Sequence, residues 1–108
     1  MKWKLPIAIA LLSITPAAYS GSYIGMVKLL HYGNGSLYLD ATGTQMASRP
    51  ACATRTTVRL QETSDNPAYK EKFAMLLSAW LADRPVALYG TGTCTTEGDE
   101  IISVVTYP

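Results

Sequence analysis

The chain has 108 residues, nine Lys+Arg against eight Asp+Glu, and a single histidine, His31. So even a balance lacks the basic excess that draws a protein to nucleic acid, and the length holds one small domain. One histidine and no serine or cysteine in a nucleophile motif leave little for catalysis, so the chain reads as a non-enzyme.

Residues 1–20, MKWKLPIAIALLSITPAAYS, have the three-part layout of a secretory signal peptide. Lys2 and Lys4 form a positive start, and Leu5 to Ile14 an apolar core that Thr15 and Pro16 interrupt. Ala18 and Ser20 place small residues before a predicted cut ahead of Gly21. The apolar run is about half the roughly twenty residues a span requires, which argues against an anchor. No later segment is long and apolar enough to span, and no cysteine marks a lipoprotein cut. Export, to periplasm or medium, is the expected localisation, with residues 21–108 as the domain. Losing Lys2 and Lys4 from the nine basic residues leaves seven against eight acidic ones.

Within the domain, residues 22–32 (SYIGMVKLLHY) predict a long strand, with Gly25 at a bulge or close backbone approach. Gly33-Asn34-Gly35 predicts a hairpin turn, since Asn and Gly tolerate positive φ. Residues 36–40 predict a second strand, and 41–51 a loop that delivers Cys52. In the third, 55–62, Val58 and Leu60 alternate with Arg59 and Gln61. The period then changes. Asn66 is placed to cap a helix and Pro67 to enter its first turn. Tyr69, Phe73, Leu76, Leu77 and Trp80 form one apolar stripe, and Asp83-Arg84-Pro85 ends it. Residues 86–90 and 101–107 supply a fourth and a fifth strand.

Cys52 and Cys94 are the only cysteines, and in an exported small domain they predict a disulfide. Two thiols and His31 fall short of the four ligands of a structural zinc site, and no other metal or cofactor is expected. Cys94 lies in GTGTCTTEGDE, residues 90–100. Its glycines match neither the dinucleotide fingerprint nor the Walker loop. Glu97, Asp99 and Glu100 lack the EF-hand pattern, so they read as a solvated acidic turn rather than a cation site.

Three strands, a helix and two strands match a mainly β five-stranded OB-fold-like barrel, with the helix between the third and fourth strands. An open antiparallel sheet with the helix across one face is the alternative. The stretches IGMVKLLHYGNGSLYL, PACAT and RPVALYGTGTC resemble the B subunits of pertussis-like and subtilase-cytotoxin-like bacterial toxins. They also resemble small exported bacterial proteins of the same outline. The resemblance implies a secreted OB-fold, often a ring of five, that binds sialylated or related host-surface glycans. It departs where those subunits use a serine before the first-strand glycine: here stands Ile24, which cannot hydrogen-bond a sugar. An assisting tyrosine of those subunits falls near Gly90, beside Tyr89. The resemblance thus carries over the fold and the disulfide, and leaves ligand-binding residues unassigned. Glycan binding and a periplasmic protein-interaction role are both expected readings. Nucleic-acid binding is disfavoured, although Arg49, Arg55 and Arg59 with outward Tyr23, Tyr32 and Tyr38 would be its only platform.

Overall fold

A computed structural model describes residues 20–33, 35–63 and 67–108. The predicted leader before Ser20, the predicted turn residue Asn34 and the predicted helix cap Asn66 lie outside the described residues, and the N-cap that the structure shows is Ala68, with φ 60°. Seven strands and one helix follow in order: β1 (Ser22–Gly25), β2 (Lys28–Gly33), β3 (Ser36–Asp40), β4 (Thr44–Ala47), β5 (Thr57–Gln61), α1 (Tyr69–Leu81), β6 (Val86–Cys94) and β7 (Glu100–Thr106). They form one mixed sheet in the order β2-β3-β5-β7-β6-β1-β4. Every pairing is antiparallel except β5 with β7, a short parallel contact of Val58 with Glu100 and Arg59 with Ile101.

The expected five-stranded barrel is therefore corrected to a seven-stranded sheet, with β2 and β4 as its unpaired ends and the helix after the fifth strand. Two local features account for the difference. The predicted long first strand breaks at Gly25, whose φ is 145° and whose position would set a Cβ 2.8 Å from the Gly43 carbonyl oxygen. Only glycine accepts that backbone and that approach. Beyond the break β1 pairs with β4 and β6 while β2 pairs with β3. The second feature is β4, which forms inside the stretch predicted as loop and pairs with all four residues of β1. One strand split and one strand added move the helix from fourth place to sixth. Because only Met26 and Val27 separate β1 from β2, a span of about 10 Å, the sheet must coil to bring its flanks together.

The predicted alternations in β3 and β5 hold. Leu37, Leu39, Val58 and Leu60 are buried with Tyr23, Val86, Leu88 and Ile102 in one core. Gly35 takes the left-handed φ of 72° that its hairpin turn requires. Helix α1 lies against β2, β5 and β7 through Tyr69, Leu76 and Ala79. The predicted stripe is thus rotated: Ala79 admits close approach to the sheet, while Leu77 and Trp80, one residue further round, are exposed. At its end Asp83 has φ 56°, and the Arg84 N–H donates to the Ala79 carbonyl, so the helix stops before Pro85. Among the described residues no helix is long and apolar enough to cross a membrane.

Cys52, in the loop after β4, is joined to Cys94 at the end of β6, with Cα atoms 5.9 Å apart and a sequence separation of 42. A loop of that length removes about 4 kcal/mol of chain entropy from the unfolded state. A Cys52→Ser/Cys94→Ser double variant should lose about that much stability in urea titration, with the wild-type protein under reductant matching it. An unchanged midpoint in both would show that the bond contributes nothing.

Candidate functional site

The outer face of the sheet carries a row of three side chains. Leu37, Leu39, Val58 and Leu60 face the core, so Tyr38 and Arg59 between them face out. A register shift between Leu29 and His31 then sets His31 opposite Tyr38, which itself lies opposite Arg59. The His31 and Tyr38 rings stack, with centroids 4.1 Å apart and planes 18° apart. The Arg59 guanidinium carbon sits 4.2 Å from the Tyr38 ring centre, a cation–π contact. Arg59 is anchored in turn: its Nη2 donates to Glu97 and, at 3.1 Å, to Asp99 Oδ2. Arg55 Nε lies 3.5 Å from the other Asp99 oxygen.

Two residues along β5 on the same face is Gln61, which lines a groove of about 180 Å³ with Thr63, Thr91, Thr93, Ile101, Ile102 and Ser103. Thr91 and Thr93 hydroxyls lie 2.7 Å apart, and the Thr93 N–H donates to Thr91 Oγ1. Four hydroxyls, one amide and an apolar floor thus adjoin the stacked row. A larger cavity of about 280 Å³ lies at the far end of α1, where Arg84 and Tyr107 are among its lining residues.

Asp99 and Glu100 overturn the solvated-turn expectation, since both are fully buried. Their side chains part company. Asp99 meets the two arginines on the outer side, and Glu100 turns inward to backbone donors. Its Oε2 accepts from the Gly21 N–H at 2.9 Å and the Gly92 N–H at 3.1 Å, and its Oε1 from the Tyr23 hydroxyl at 2.5 Å. A Cβ built on Gly90 or Gly21 would overlap this carboxylate, so a side chain at either position would have to displace the Glu100 head group. Burial, and the hydrogen bond to Glu100, push the Tyr23 phenol up to about 12; Arg49 Nε, 3.4 Å from the same hydroxyl, opposes that rise. Tyr69 is likewise pushed up to about 12, chiefly by burial. Glu97 and Asp99 are both engaged by Arg59 while Glu100 turns to Gly21, Gly92 and Tyr23, and no group of three or more metal-ligating side chains forms among the described residues.

The remaining sequence-predicted residues separate. Arg55 and Arg59 share Asp99, and Arg49 donates to the Tyr23 hydroxyl and the Arg55 carbonyl, so all three guanidiniums are engaged inside the protein rather than presented as a basic patch. Tyr23, expected outward, belongs to the core, and Tyr32 leans edge-on against Phe73 of the helix. Only Tyr38 joins the outer row. Ile24 is 40% exposed, and so is Tyr89, which pairs in register with Ser22 and Val104. What sequence reasoning missed was Gly21, Gly90 and Gly92 closing on Glu100. The one available signal was an acid pair leading directly into an apolar strand. No protein family model, no curated protein and no solved structure matches the chain.

A Gly90→Ala substitution should destabilise the protein by about 3 kcal/mol, since the added methyl must displace a buried carboxylate, and chemical denaturation will measure it. Alkaline titration followed at 295 nm should show two late phenols at about pH 12, one of them lost in Tyr23→Phe. The sign follows from linkage: a folded pKa raised above the unfolded value of 10.0 gives stability that is fully present below pH 10 and lost between about 10 and 12. Two phenols titrating together at pH 10 in the folded protein would contradict the burial of both groups.

Proposed function

We propose that the chain is an exported, non-catalytic binding domain, like a toxin B subunit, that recognises a surface glycan through the His31–Tyr38–Arg59 row and the adjoining hydroxyl-lined groove. The observation that carries this reading is a stacked aromatic pair on the same face as a groove that gathers the Gln61 amide of β5 with hydroxyls of β6 and β7. Sugars are held by that combination, a ring face for their C–H surface and fixed polar partners for their hydroxyls. The groove is below the roughly 300–1,000 Å³ of drug-sized pockets, which suits a single terminal ring. The site differs from the one used in the toxin subunits, whose serine position is Ile24 here.

An OB-like origin is supported by the strand path. If β1 and β2 count as one bent strand and β4 as an addition, the remaining order and the parallel β5–β7 contact follow that architecture. Export agrees with the leader-like start of the sequence and with the disulfide. A second reading, a periplasmic accessory domain that binds protein, or a homo-oligomer such as a pentamer, is favoured by the exposed apolar residues Ile24, Tyr89 and Val104 across β1, β6 and β7.

A glycan array probed with the oxidised protein tests the first reading. Binding should weaken about tenfold in Tyr38→Ala and about as much in Thr91→Val, with the thermal midpoint little changed. Absence of any bound glycan would remove it, and loss of binding in Ile24→Ser instead would relocate the surface to β1.

A further inference from the structure

The residue that sits on the buried carboxylate is also the first residue after the predicted leader cut. Gly21 is itself buried, and its nitrogen is 2.9 Å from Glu100 Oε2. Its carbonyl is fixed as well, accepting from the Gly90 N–H at 2.8 Å. Ser20, immediately before it, is exposed. The chain therefore passes from solvent to core within one peptide unit, at the bond where the leader would be cut.

In the uncut chain the donors to Glu100 are two amides and a phenol, all neutral. Among the described residues, no Lys, Arg or His side chain forms an ion pair with it. Arg49 stands one hydrogen bond removed, behind the Tyr23 hydroxyl. A buried ionised carboxylate without a charge partner is expensive, and it is compensated far better by an adjacent cation.

We propose that leader removal completes this fold: cutting the Ser20–Gly21 bond creates an α-ammonium that forms a buried ion pair with Glu100. The inference rests on the export reading. A leader peptidase adds water across the Ser20–Gly21 amide, leaving a carboxylate on Ser20 and an ammonium on Gly21. No other bond changes. The cut precedes folding, because in the folded chain the Gly21 nitrogen is buried. The glycine then has a steric reason, since any Cβ at position 21 would run into the Glu100 carboxylate and lie 2.9 Å from the Tyr23 hydroxyl. A new amino terminus is thus both the product of processing and a structural ligand, and a chain that keeps its leader meets Glu100 with neutral donors alone.

The groups around the ammonium are Glu100 from β7, Tyr23 from β1 and, behind it, Arg49; β6 contributes the Gly90 and Gly92 backbone. Facing a carboxylate, the amine should hold its proton to higher pH than a free amino terminus, ordinarily roughly 7.7–8.0. Its contribution to stability is then complete below about pH 7.7 and lost as pH rises through the elevated folded value.

The test starts from the full-length gene expressed in a secreting host. Intact mass of the exported protein should begin at Gly21. Acetylation of the amino terminus at pH 7.5 by an N-hydroxysuccinimide ester, followed by peptide mass mapping, should run at least about tenfold slower in the folded protein than in urea. A 13C-dimethyl label placed on the terminal nitrogen of the unfolded chain before refolding should titrate at higher pH in the folded protein than in urea. Glu100→Gln should restore both values to those of a free terminus, and a chain with one added residue before Gly21 should do the same if Glu100→Gln does not fold. A Gly21 terminus with ordinary labelling rate and titration overturns the capture while leaving export intact. A mass that begins elsewhere overturns the cut and the capture together.

Discussion

Glu100 is the constraint around which the sheet is assembled. Its residue lies opposite Val58 in the one parallel contact among the described residues and opposite Cys94 at the end of β6, so it stands where β5, β6 and β7 meet. Its carboxylate reaches further, to Gly21 and Tyr23 at the start of the domain and to Gly92 within β6. A carboxyl group removed from water must be met by donors held in place, and two of the three come from 79 and 77 positions away in sequence. A single buried acid thus fixes where the first strand enters and how closely β6 may approach. The glycines of GTGTC serve that closeness, and not a nucleotide.

The same few residues organise the outside. Asp99 and Glu100 are consecutive, and neighbours in an extended chain face opposite ways. Asp99 therefore meets Arg55 and Arg59 beneath the stacked row while Glu100 points into the core. Arg59 is held at one end by acids and presents its flat guanidinium to Tyr38 at the other. A guanidinium restrained in this way loses little further freedom on meeting a ligand, which is the advantage of a preorganised surface.

Much of the architecture was legible as pattern. The alternation around Leu37 and Leu39, and around Val58 and Leu60, marks strands because half-buried strands repeat every two residues. The helix follows from the stripe that starts at Tyr69, and its stop from Asp83-Arg84-Pro85. The pairing of Cys52 with Cys94 follows from there being no other partner. What escaped was set by contact between distant segments. Gly25 could be read as a bulge or a close backbone approach, but its partner Gly43 depends on where β4 lies, and TQMA does not alternate apolar with polar residues although its burial alternates. Helix rotation was decided by Ala79, a small residue whose value lies in what it lets come near. Burial of Asp99 and Glu100 ran against composition, because acids are almost never enclosed unless paired, and their partners lie across the sheet. The groove assembles from three strands and has no contiguous signature at all.

The cystine has an effect beyond shortening the unfolded chain. Residues 48–56 have no strand or helix of their own, yet they carry Arg49 to the Tyr23 hydroxyl, Arg55 to Asp99, and the Thr54 and Arg55 amides to the Gly98 carbonyl. Cys52 sits in the middle of that stretch and is its one covalent tie to β6. Two guanidiniums therefore reach the neighbourhoods of two enclosed acids on a tether that exists only where thiols are oxidised. Compartment chemistry is in this way wired to internal charge neutrality, and a reducing milieu loosens the protein first at its electrostatic seams.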